Sequence, residues 1–217
     1  MKLAALFFGL AASLAASTVE PWLGGTRPYE TVSYREMNIE LLGAAAMDGA
    51  SDALRLDYGI LDHWMLAASW QRDDLDFGQS LGTLETRLRF AEDGAWPLDL
   101  GFYGSWEKAL ASSGVDRDNY SLGIVVAKEL GDHSLSANAD YGPTDGLEVR
   151  LGYRSPYLFL TGRAGLEFGT GDFGNTLLPQ MDFNFPGDIS LQLGSRLSDK
   201  GGPRFLFSLS YEIFPSP

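Results

Sequence analysis

The residues of this chain that could do chemistry are arginines set among carboxylates at every second position. Arg55, Arg87, Arg89, Arg150, Arg163 and Arg196 stand with Glu40, Asp57, Glu85, Asp99, Glu107, Asp140, Glu148, Glu167, Asp182 and Glu212. Their immediate neighbours are apolar, so alternation puts all of these charges on one face of extended segments. A face carrying both signs admits two chemistries. It can line a narrow aqueous path whose field selects a solute. It can equally cross-link and fill an interior with salt bridges. The spacing leaves both open.

Other candidates are weaker. His63 and His133 are the only histidines. Both fall in tight turns, and neither has a serine nucleophile at a matching position, so no catalytic pair is expected. Asp73-Asp74-Leu75-Asp76 starts like a calcium loop but lacks the glycine and terminal glutamate that would complete it. Gly169-Thr170-Gly171-Asp172-Phe173-Gly174 is not a phosphate loop, because no helix and no lysine follow. No enzyme activity, cofactor or metal is expected.

The elements that position the charges read as about twelve short strands between Tyr34 and Phe214. Ten is the second choice. Examples are Leu54, Leu56 and Tyr58 opposite Arg55 and Asp57, and Leu84, Thr86, Leu88 and Phe90 opposite Glu85, Arg87 and Arg89. Each strand has roughly the 9–11 residues that a tilted strand needs to cross a bilayer. Aromatic residues on the apolar face fall toward the two strand ends. Trp70, Trp106, Tyr120, Tyr141, Phe168 and Phe205 lie at one end; Tyr58, Trp64, Phe90, Tyr153, Phe185 and Tyr211 lie at the other. Two such girdles mark two membrane interfaces. The predicted fold is an all-β, transmembrane, antiparallel up-and-down barrel. Connections after odd-numbered strands should be longer, as with 111–118 and 169–176, and those after even-numbered strands tight. Lys128 falls on the apolar face near a strand end, where it can snorkel. Pro179 lies inside a strand and predicts a bulge.

Residues 1–17 read as a signal peptide: Lys2, an apolar run too short to span, then Ala15, Ala16 and Ser17, with cleavage after Ala15 or Ser17. Residues 18–30 form a Pro- and Gly-bearing periplasmic lead-in, and 31–217 the barrel. The chain has no cysteine, which excludes a disulfide framework and thiolate metal sites. A net charge of −13 argues against nucleic acid as a partner.

The whole pattern resembles the bacterial outer-membrane β-barrels. The stretch Leu56-Asp57-Tyr58-Gly59-Ile60-Leu61-Asp62-His63-Trp64-Met65-Leu66 is similar to the Tyr-Gly-(Leu/Ile)-Thr-Asp-x-Leu-x-Leu hairpin of small transporter barrels of the phenol-degradation pathway type, with Leu61 where Thr is usual. Phe205-x-Phe207-x-Leu209-x-Tyr211-x-Ile213-Phe214 resembles the C-terminal signal read by the barrel-assembly machinery, with Pro215-Ser216-Pro217 trailing it. The resemblance implies an outer-membrane, transporter-like protein in contact with outer-membrane lipid, and the charged inner face adds the expectation of porin-like passage for a small polar solute. The alternative is a structural or surface-interaction barrel with a salt-bridged, filled lumen.

Overall fold

A computed structural model describes residues 34–47, 49–73, 79–91, 98–111, 118–159, 162–172, 174–186 and 189–213. The segments 1–17 and 18–30, the run Asp74 to Asp76 and the residues after Ile213 lie outside them. Twelve strands follow one another: β1 Met37–Ala46, β2 Gly49–Leu61, β3 Trp64–Asp73, β4 Gln79–Ala91, β5 Asp99–Ala111, β6 Asp118–Leu130, β7 His133–Gly142, β8 Gly146–Phe159, β9 Gly162–Gly171, β10 Gly174–Phe185, β11 Ile189–Ser198 and β12 Arg204–Glu212. Each pairs antiparallel with its sequence neighbour, and β1 pairs with β12, so the sheet closes into an up-and-down barrel. Closure leaves no sheet edge unpaired.

The sequence alternates because the two faces meet different surroundings. On β2, Ser51, Ala53, Arg55 and Asp57 are buried while Leu54, Leu56 and Tyr58 are exposed. On β6, Asn119, Val125 and Ala127 are buried against exposed Tyr120, Leu122 and Ile124. This is the reverse of a globular core: polar groups point inward and leucines outward. It is stable only if the outer face meets hydrocarbon instead of water.

One end of the barrel holds the start of β1 and the end of β12, and is called the terminal end; the other is the distal end. At the terminal end the residues before β1 clip onto the first turn. The Arg35 amide donates to the Gly59 carbonyl at 2.9 Å, and the Tyr34 amide donates to the Asp62 carboxylate at 3.1 Å. Both groups of aromatic residues face outward, one toward each end; Trp64 is half-buried because its indole N–H donates to the Thr86 hydroxyl at 2.8 Å.

Three expectations about connections need correction. Loop length does not divide the two ends: the longest connection, 92–98, is at the terminal end, while 47–48 and 172–173 at the distal end are tight. Much of 169–176 is strand, in β9 and β10. Ser155 and Pro156 are also strand, because β8 continues to Phe159 through a shift of register between Arg154 and Phe159. Pro179 makes no bulge. Leu177↔Leu197 and Gln180↔Gly194 keep one register on either side of it. The register shifts fall instead at Gly59/Leu61, Ser80/Leu81, Arg89/Ala91 and the end of β8.

Candidate functional site

The barrel interior is the candidate site, and its charges gather in three clusters. The first spans β1, β2 and β4. Residues two apart on a strand share a face, so Arg55 Nε reaches Asp57 Oδ1 at 2.7 Å and Arg87 Nε reaches Glu85 Oε1 at 2.6 Å. Arg55 Nη2 also donates to Glu85 Oε1 at 3.1 Å, across β3. Glu40 on β1 joins from the seam, accepting a hydrogen bond from the Ser208 hydroxyl on β12. All five of these charged groups are buried.

The second cluster lies on β7 and β8. Arg150 takes Glu148 in a two-point grip, 3.0 Å from Nε and 2.6 Å from Nη2, and stands 3.9 Å from Asp140. The third lies on β8, β9 and β10. There the Asp182 carboxylate forms ion pairs, its Oδ2 lying 2.9 Å from Arg154 Nε and 3.4 Å from Arg163 Nε. In a closed ring of twelve strands β9 stands opposite β3, so the third cluster faces the first across the barrel. The first is centred at mid-strand, with Arg55 and Glu85 at the midpoints of β2 and β4, and the third lies nearer the terminal end.

The remaining predicted lining residues are spread around the same face. Asp99 and Glu167 are buried; Glu107, Arg196 and Glu212 are half-buried. Arg89 sits at the terminal mouth with its guanidinium on the Asp62 carbonyl, 2.5 Å away.

Several inward residues escaped the sequence reading. Arg154 is buried at the third cluster, and it was legible by continuing the alternation Arg150, Gly152, Arg154. Leu42, Leu81, Leu178 and Leu206 are also buried, and Ala44, Leu178 and Leu206 form an apolar patch inside the barrel. Tyr157 stands on the terminal mouth beside Arg163, its hydroxyl accepting from Asn184 at 2.8 Å.

Between the clusters lie uncharged polar side chains. Gln180 Nε2 and Oε1, Gln71 Nε2, Ser51 Oγ, Ser136 Oγ and Gln192 Oε1 have no hydrogen-bond partner among the described residues. Buried polar atoms of this kind are satisfied by water or by a ligand's own hydroxyl and amine groups. The histidines take no part. His63 lies in an exposed turn, and His133 Nδ1 is 2.8 Å from the Tyr153 hydroxyl at the terminal end. No metal-holding group of His, Cys, Asp and Glu occurs among the described residues. Gly169 to Gly174 covers the end of β9 and the start of β10.

A closed twelve-stranded barrel with leucines outside and salt bridges inside defines the class: the fold is that of the outer-membrane β-barrel porins. Among solved structures the chain is similar to the KdgM porin, determined in complex with disordered oligogalacturonate, with a TM-score of 0.68 at 10% identity over 82% of this chain and 99% of that one. It is also similar to the outer membrane protein Omp33 of Acinetobacter baumannii, with a TM-score of 0.57 at 5% identity over 85% of this chain and 100% of that one. Identities this low establish a shared fold alone. No family model matches the chain, and no curated protein sequence matches it. The transporter resemblance of the Leu56–Leu66 hairpin therefore has no support from these comparisons.

Proposed function

We propose that the chain is an outer-membrane barrel forming a narrow conduit for a small polar solute, and not an enzyme. The observation that carries this reading is the set of buried interior amides and hydroxyls, Gln180 foremost, that no group among the described residues satisfies. They suit a file of water or a solute rich in hydroxyl or amine groups. The exposed leucines and the two outward aromatic groups suit the acyl chains and interfaces of a bilayer. Residues 1–17 as an export signal, and the C-terminal strand as the contact for the barrel-assembly machinery, complete the reading.

The sign of the interior bears on the solute. KdgM was solved with oligogalacturonate, a polyanion. Here inward carboxylates outnumber inward arginines, and Asp57 and Glu85 hold Arg55 and Arg87 on one wall. A polyanion would be repelled there, whereas a cationic or neutral solute would not. Planar-bilayer recording across a potassium chloride gradient tests the reading. The expected result is conductance with a reversal potential of cation-preferring sign, larger in Arg87→Gln. Anion preference in both forms would overturn the assignment of sign.

A second reading is favoured by one observation. Arg55 is 2% exposed and Tyr103 0% exposed. An interior filled to that degree also suits a structural barrel that transports nothing. Absence of conductance at any applied voltage would establish it over the first.

A further inference from the structure

Among the described residues only one aromatic side chain is buried, Tyr103 on β5. It faces inward, in line with Asp99, Gly101 and Glu107. The ladder sets Gly123 of β6 directly opposite it. A Cβ on Gly123 would stand 2.3 Å from both the Tyr103 Cζ and its hydroxyl oxygen. The ring therefore reaches from β5 over β6 and lies along the wall, in space that only a glycine leaves open. One strand further round, the same row continues to Asp140, and in the other direction it continues to Arg87.

Arg55 and Arg150 are drawn to the wall by carboxylates two residues away on their own strands, Asp57 and Glu148. The position of the ring has a different origin. It depends on the depth of the seat at Gly123. Any side chain at that seat must lift the ring toward the barrel axis. A tyrosine ring moves as one rigid plate, so a lift at the wall narrows the path along the whole breadth of the plate.

We propose that Tyr103 sets the aperture of the conduit, seated on Gly123, and that the pair selects solutes by cross-section. This rests on the channel reading above and goes beyond it by naming the residue that limits size. The row from Arg87 to Asp140 places the limit at the level of the first charged cluster, so size and charge are sensed together.

A double-mutant cycle of single-channel conductance tests it. Tyr103→Ala should raise conductance roughly twofold or more and admit larger neutral solutes. Tyr103→Phe, which keeps the plate, should conduct like the native protein. Gly123→Ala should lower conductance in the native background and leave it unchanged in Tyr103→Ala, because no ring remains to be lifted. Heat-dependent gel migration verifies that each variant has folded; Tyr103→Leu serves if Tyr103→Ala does not insert. Native protein that conducts, with Tyr103→Ala unchanged, would overturn the proposal and leave the channel reading standing. Equal loss from Gly123→Ala in both backgrounds would also overturn it, since the glycine would then act on its strand alone. Silence in the native protein with conductance in Tyr103→Ala would support the ring as the stopper while ending the channel reading for the native form. Silence in both would end both.

Discussion

Arg55 on β2 and Glu85 on β4 reach each other over the strand between them, Nη2 to Oε1 at 3.1 Å. The inward residues of β3 at that level are Ala67, opposite Asp57 and Glu85, and Ser69, opposite Arg55. Both are short enough for the guanidinium to pass above them. The pair is out of water, with side chains 2% and 3% exposed. Glu85→Gln should therefore cost about 3–5 kcal/mol, because it takes a carboxylate both from Arg55, which keeps Asp57, and from Arg87. Folding titrations in lipid vesicles measure it. A cost under about 0.5 kcal/mol would mean that the pair behaves as a solvated surface bridge and that the interior is wet at that level.

Ile124 and Val125 are adjacent on β6 and face opposite media, 50% and 3% exposed. Ile124→Arg should cost roughly 2–4 kcal/mol of folding in bilayers, since the charge meets hydrocarbon. Val125→Thr should cost less than about 1 kcal/mol, because its hydroxyl replaces a methyl opposite Asn138. The same vesicle titration compares them. Reversal of the order would mean a strand register wrong by one residue.

At the distal end the Asp199 carboxylate receives the Asn175 backbone N–H at 2.9 Å and the Asn175 side-chain amide at 2.9 Å. The backbone bond, first among the causes, holds the Asp199 carboxyl below the ordinary aspartate value. A depressed folded value means that the latch is fully made above the ordinary value and is lost as pH falls through the folded one. Hydrogen exchange at the Asn175 amide should therefore gain an acid-side rise in its opening equilibrium. Asp199→Asn should abolish that pH dependence. An identical profile in both forms would show that the carboxylate does not govern the loop.

Gly174 has a φ of 105°, and a Cβ there would lie 2.2 Å from Asp199 Oδ1. Gly174→Ala should cost about 1–2 kcal/mol, as a side chain forced into a left-handed backbone does. Gly201→Ala, with nothing within 4 Å of its Cβ position, should change stability by less than about 0.5 kcal/mol. Equal effects at the two glycines would argue that the β9–β10 turn adapts freely.

The fold was legible because lipid and interior impose opposite preferences with a period of two. Arg55, Leu56 and Asp57 display this rule within three residues. It fails where the interior departs from polarity: Leu42, Leu178 and Leu206 point inward, and no local pattern separates them from their lipid-facing neighbours. Arg154 was missed because Ser155 and Pro156 read as a turn, whereas β8 absorbs them in a register shift and runs on. The bulge expected at Pro179 did not form, since the ladder holds its register on both sides of the missing N–H. Which arginine grips which carboxylate was not legible at all. Reach across β3 depends on the small side chains of Ala67 and Ser69 and on barrel closure, and these are properties of the assembled wall.

The seam where Ser208 meets Glu40 joins residues 168 positions apart. Every other strand pairing joins sequence neighbours. Hairpins can thus accumulate one after another, yet the result stays an open ribbon with two bare margins until β12 arrives. A chain cut short by a single strand is no smaller barrel. It is a sticky sheet with an unpaired β1 and β11, ready to recruit whatever extended segment it meets. Closure of the wall is consequently decided at one place, where β12 meets β1.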